Sequence, residues 1–105
     1  MALKVTWTPR AEQGYDKIIK HLEKNWTGRE ISNFIDETRE FLKLLEKNPY
    51  LLEPSDIRKN VFRGPLNRLT IITYRVKPRQ NQIELLNVRS ARQKPSKKIR
   101  RTLLK

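Results

Sequence analysis

Trp26-Thr27-Gly28-Arg29-Glu30 is the stretch on which the fold of this 105-residue chain turns. Thr27 and Glu30 stand at the threonine-x-x-glutamate spacing, at which each side chain satisfies a free backbone N–H of the other and opens a helix. Upstream, Ala11, Tyr15, Ile18, Ile19, Leu22 and Trp26 recur every three or four residues, the stripe of an amphipathic helix. That helix starts at Thr8-Pro9, an N-cap followed by a proline whose missing N–H has no partner to lose. Downstream, Ile31, Phe34, Ile35, Thr38, Phe41, Leu42 and Leu45 mark a second helix that Asn48-Pro49 ends. Two helices with so short a link form an antiparallel hairpin. Gly14 lies inside the first helix, where it costs about 1 kcal/mol relative to alanine; a close packing contact would account for it.

Outside the hairpin the apolar period changes to two. Leu3 to Thr8 alternates, with Leu3, Val5 and Trp7 on one face, and reads as a half-buried strand. After a loop from Tyr50 to Asp56, three more strands are expected at Ile57 to Arg63, Arg68 to Val76 and Gln82 to Arg89. Gly64-Pro65-Leu66-Asn67 and Lys77-Pro78-Arg79-Gln80-Asn81 have turn compositions and would separate them. Short turns make successive strands antiparallel neighbours. The reading is an α+β fold in one small domain. It has an N-terminal strand, a two-helix antiparallel hairpin and a three-stranded antiparallel meander (β-α-α-β-β-β), with the hairpin across one sheet face. The domain is expected over residues 1–96, with 97–105 a basic tail; the composition of Ser90 to Lys105 is that of a disordered segment in the isolated chain.

Charge divides the chain in two. Residues 1–56 carry nine Lys/Arg and ten Asp/Glu, a net of −1, whereas residues 57–105 carry fifteen Lys/Arg against Glu84 alone, a net of +14. The sums give the total of +13. So one-sided a distribution points to a polyanionic partner, nucleic acid or an acidic protein segment. Arg58, Lys59, Arg63, Arg75, Arg89 and Arg92 are the candidate binding residues. Their sidedness is not clean, because Ile57, Val61, Leu69 and Ile71 share the odd parity of Lys59 and Arg63. No apolar run approaches the length that spans a bilayer, and the N-terminus has no apolar signal core; a cytoplasmic protein without a membrane partner is expected.

Catalytic and metal chemistry find little support. There are no cysteines, no metal-ligand cluster, no serine–histidine–acid set and no G-x-G spacing among three glycines, so no metal or cofactor is expected. His21, the one histidine, falls on the first helix, upstream of the basic strands. Asp36, Glu37 and Glu40 interleave with Arg39 and Lys43, the pattern of a solvated helix face. Tyr74 is read as a core residue with its phenol at the rim.

Several segments, taken in order, resemble the RelE/ParE superfamily of toxins from type II toxin–antitoxin systems. Val5-Thr6-Trp7-Thr8-Pro9-Arg10-Ala11 looks like their first strand and helix start, and Leu44-Leu45-Glu46-Lys47-Asn48-Pro49 like the close of their second helix. Ile57-Arg58-Lys59 and Thr73-Tyr74-Arg75-Val76 are similar to parts of their hairpin. Ile83-Glu84-Leu85-Leu86-Asn87-Val88-Arg89 with Ala91-Arg92-Gln93-Lys94-Pro95 resembles the last strand and the exit of the ParE-like branch. The resemblance covers about residues 3–97. It implies a growth-inhibiting toxin neutralised by a cognate acidic antitoxin in a hetero-oligomer. Two activities are implied on this scaffold: poisoning of DNA gyrase without catalysis in the ParE-like branch, and ribosome-dependent mRNA cleavage in the RelE-like branch.

Cleavage at a 2′-hydroxyl requires a general base, a stabilised phosphorane and a protonated leaving oxygen. Arg58, Lys59, Arg63 and Arg92 would be the catalytic set of a ribonuclease, supplying fixed positive charge. The ribonuclease branch also carries basic residues in the second hairpin strand and a late tyrosine or histidine. Thr70-Ile71-Ile72-Thr73 and Lys94-Pro95-Ser96 stand in those places here. The sequence reading therefore favours a ParE-like inhibitor, with a RelE-like endoribonuclease and a non-toxic basic nucleic-acid-binding module as alternatives.

Overall fold

The computed structural model describes residues 3–91. Strand β1 (Lys4–Trp7) leads into helix α1 (Pro9–Asn25), and helix α2 (Gly28–Lys47) follows across a two-residue link. Strands β2 (Glu53–Pro54), β3 (Val61–Asn67), β4 (Thr70–Lys77) and β5 (Gln82–Ser90) complete one five-stranded sheet in the order β1-β5-β4-β3-β2. The expected α+β order is present. The boundary between domain and tail, and Arg92 with it, lies outside the described residues.

Both helices begin as the sequence requires. Thr8 caps α1, its Oγ1 accepting from the Ala11 N–H at 3.2 Å and donating to the Leu85 carbonyl at 2.7 Å. One hydroxyl thus starts the helix and ties it to β5. At Thr27 the capping box closes in both directions: the Glu30 N–H meets the threonine hydroxyl at 3.3 Å, and the Thr27 N–H donates to Glu30 Oε1 at 3.0 Å. The helices meet at Tyr15, whose ring stacks on Phe34 and whose hydroxyl donates to Thr38 Oγ1 at 3.0 Å. Tyr15 and Thr38 lie almost equally far from the link on either side, as an antiparallel hairpin demands.

Gly14 has its packing contact. A Cβ at this position would overlap the Val88 carbonyl oxygen, so α1 approaches the backbone of β5 more closely than alanine permits. The hairpin covers one face of the sheet, burying Phe62, Leu66, Ile72, Tyr74, Val76, Ile83, Leu85 and Val88 against Ala11, Ile18, Leu22, Phe34 and Leu45. Tyr74 is fully buried and pins the chain that follows α2: its hydroxyl donates to the Pro49 carbonyl at 2.8 Å and accepts from the Leu52 N–H at 3.4 Å.

The structure corrects three expectations. The strand expected at Ile57 to Arg63 begins only at Val61, and Ile57, Arg58 and Lys59 occupy an exposed turn, with Ile57 92% exposed. The Ser55 hydroxyl accepts from the N–H groups of Ile57 and Arg58, both at 3.1 Å, and Asn60 adopts φ 61°. Donors satisfied locally and a left-handed residue oppose a ladder there. The second correction concerns Gly64-Pro65-Leu66-Asn67, which is not a turn but the second half of β3. β2 pairs only with Phe62 and Arg63, so Pro65 stands where β3 is an edge and its missing N–H is tolerated. The reversal falls instead on Arg68-Leu69, where Asn67 Oδ1 accepts from the Leu69 N–H at 2.9 Å. Third, the loop from Tyr50 to Asp56 contains β2. The meander is antiparallel as expected, and β1, whose pairing the sequence left open, runs parallel to β5, making the sheet mixed.

Candidate binding face

Strand register decides which side chains share the uncovered face. Phe62 faces Tyr74 across β3 and β4, and both point into the core. The alternate residues therefore point away from the helices. In one row across the sheet Arg63 stands opposite Thr73, and Thr73 opposite Asn87. The next row runs from Val61 through Arg75 and Glu84 to Thr6, and a third from Lys77 through Gln82 to Lys4. On the other side of the first row, Ile71 stands between Pro65 and Arg89. A bulge between Thr73 and Tyr74 shifts the β5 parity, so Glu84 and Asn87 lie on one face despite their odd spacing.

Three of the six expected binding residues, Arg63, Arg75 and Arg89, thus converge on this face. Arg58 and Lys59 do not sit on a strand. Their turn adjoins the Arg75 end of the sheet, where the Val76 N–H donates to the Asn60 carbonyl at 2.8 Å. Sequence reading missed Lys4, Lys77, Thr73 and Asn87. Lys77 was assigned to a turn, and the signal that could have placed it was its shared parity with Thr73 and Arg75.

The face carries five cations, Lys4, Arg63, Arg75, Lys77 and Arg89. Its carboxylates are Glu84 and, on the two-residue edge strand opposite Arg63, Glu53. Lys77 Nζ lies 3.4 Å from Glu84 Oε1, both side chains roughly a quarter exposed. Among the described residues Arg63 and Arg75 make no ion pair, so their charge is directed outward. Apolar ground lies between the cations: Ile71 is half-buried, and Val61 is buried yet outside the main core cluster.

Nothing described on this face can act as a neutral-pH phenol or imidazole base. His21 is on α1 and exposed. Burial raises the Tyr74 phenol above its ordinary value of 10.0 despite the hydrogen bond from Leu52, and burial likewise raises Tyr15 despite its bond to Thr38. Both phenols stay protonated near pH 7 and lie on the helix side. Among the described residues no group of three or more His, Cys, Asp or Glu could hold a metal ion. No helix there is long and apolar enough to cross a membrane. The arrangement can bind anions through fixed charge and hydrogen-bond donors, alongside a strip of apolar surface.

A helical hairpin thus covers one side of a small mixed sheet, and the other side is an uncovered cationic face. Three solved structures share the fold. The ParDE system of P. aeruginosa aligns with TM-score 0.68 at 22% identity over 85% of this chain and 96% of that one. The RelBE2 toxin–antitoxin complex of Mycobacterium tuberculosis gives 0.59 at 16% over 86% and 99%. The isolated E. coli RelE toxin gives 0.58 at 10% over 98% and 97%. No curated protein sequence matches. The model of the ParE toxin family, the toxin of the type II toxin–antitoxin system parDE, matches residues 5–95. The chain belongs to this family.

Proposed function

We propose that this toxin inhibits growth in the ParE-like manner, by binding a protein target such as DNA gyrase through its uncovered cationic face, without catalysis of its own. One observation carries the reading: Arg63, Arg75 and Arg89 converge with Thr73 and Asn87 on a face whose interior carboxylate, Glu84, is held by Lys77. Such a face supplies mainly fixed positive charge; of its two carboxylates, Glu84 is held by Lys77 and Glu53 stands on the two-residue edge strand. The family match to residues 5–95 supports the same branch.

The partner chemistry follows from what accompanies the charge. All described phenylalanine, tyrosine and tryptophan side chains on β1, β3 and β4 belong to the core side. The face thus has no aromatic platform on which bases could stack. Ile71 beside Arg89 and Val61 beside Arg75 suit an acidic protein segment with interspersed apolar residues. A cognate antitoxin of that chemistry, folding as it binds, would cover the face and exclude the target. The protein would work in the cytoplasm, where gyrase is.

Purified gyrase tests the reading. Supercoiling is expected to fall as toxin is added and to recover when an antitoxin is present; unaltered supercoiling at saturating toxin contradicts it. Toeprinting of messenger RNA on programmed ribosomes is expected to show no new cleavage, and toxin-dependent products would replace this reading with ribonuclease action. Unimpaired growth of a host expressing the chain alone would indicate a non-toxic binding module.

A further inference from the structure

We infer that the Glu84–Lys77 pair sets partner specificity: it bounds the anion-binding part of the face and requires a neutral or basic partner residue above Glu84. The inference rests on the acidic-segment reading of that face. Glu84 is the only carboxylate in residues 57–105 and occupies an interior position, on β5 between Thr6 of β1 and Arg75 of β4. It splits the cations into two groups. Arg63, Arg75 and Arg89 lie on Glu84's β3 and β4 side or toward the Ser90 end of β5, whereas Lys77 and Lys4 lie in the row beyond it. Lys77 is engaged at 3.4 Å, so its charge is directed at Glu84 rather than at a ligand.

A partner carboxylate that advanced past Arg75 would meet Glu84 at close range on a half-buried surface, where like charges are screened less than in water. A uniformly acidic segment is therefore penalised at this row. One that places acids over Arg63, Arg75 and Arg89 and a neutral or basic residue over Glu84 is not. Specificity of this kind comes from a repulsive element set among attractive ones.

Binding of a fluorescein-labelled oligoglutamate peptide, followed by anisotropy across a salt series, tests this. Glu84→Gln is expected to bind about two- to fivefold more tightly than wild type, with a steeper salt dependence. Asp36→Asn supplies the control, adding the same charge at an exposed α2 position paired with Arg39 at 3.8 Å. It should leave affinity close to wild type. Lys77→Gln should weaken binding by leaving the Glu84 charge uncompensated, and adding Glu84→Gln should reverse that loss. Placing one lysine centrally in the peptide should narrow the difference between wild type and Glu84→Gln. The boundary is overturned if Glu84→Gln binds no better than Asp36→Asn, or if Lys77→Gln alone leaves affinity unchanged. If instead wild-type binding is unaffected by Arg63→Gln and Arg75→Gln, the face is not the anion site and the proposed function fails with it. Thermal melts keep loss of folding distinct from loss of binding.

Discussion

Gly14 and Tyr74 show how much a single side chain, or the lack of one, fixes in this molecule. Alanine at position 14 would gain about 1 kcal/mol of helix propensity, yet its methyl would enter the Val88 carbonyl and force α1 off β5. Gly14→Ala is expected to lower stability by about 1–3 kcal/mol, read as a lower urea midpoint; a rise would show that the helix can move away freely. Tyr74→Phe removes the tether to Pro49 and Leu52 and should cost about 1–2 kcal/mol by the same measurement. The Tyr15 and Tyr74 phenols have folded pKa values above 10.0, so their contribution is complete below about pH 10 and is lost as pH rises through the folded values. Comparing urea midpoints at neutral and strongly alkaline pH, the double Phe variant should lose less stability than wild type. An equal loss would remove the phenols as a cause. Tyr74 is a core residue as expected, but its phenol is buried rather than at the rim. Its hydroxyl bonds Pro49 and Leu52, partners far along the chain that left no local signal.

Helices were legible wherever the deciding interaction was local. Thr27 and Glu30 satisfy each other across three residues, and the structure closes that box as the spacing requires. Thr27→Ala is expected to cost about 1 kcal/mol, with helical signal lost on heating at a lower temperature than in wild type; an unchanged melt would mean that the link is held by packing alone. Strands were less legible, because their boundaries depended on neighbours. Pro65 reads as a turn residue until β2 is seen to stop short of it, and Ile57 reads as a strand residue until Ser55 and Asn60 bind and bend the backbone around it. The parallel pairing of β1 with β5 joins residues more than seventy positions apart, beyond any periodicity argument.

For the molecule as a whole, the charge asymmetry singled out the half of the chain that supplies most of the uncovered face's cations, but not how they are arranged. Arg58 and Lys59 looked equivalent to Arg63 on composition. Register and a bulge brought Arg63, Arg75 and Arg89 together with Lys77 and left the other two in a turn. Parity counted along β5 alone could not show that Glu84 shares this face with Asn87 and Arg89, since the bulge between them reverses it. The central claim, that this face engages a protein target and thereby stops growth, is tested most directly by gyrase supercoiling titrated with wild-type toxin and with a folded Arg63→Gln/Arg75→Gln variant. Wild type should inhibit, and the variant should need at least about tenfold more protein, as expected for losing two charged contacts. Equal inhibition by both, or none by either, would contradict it.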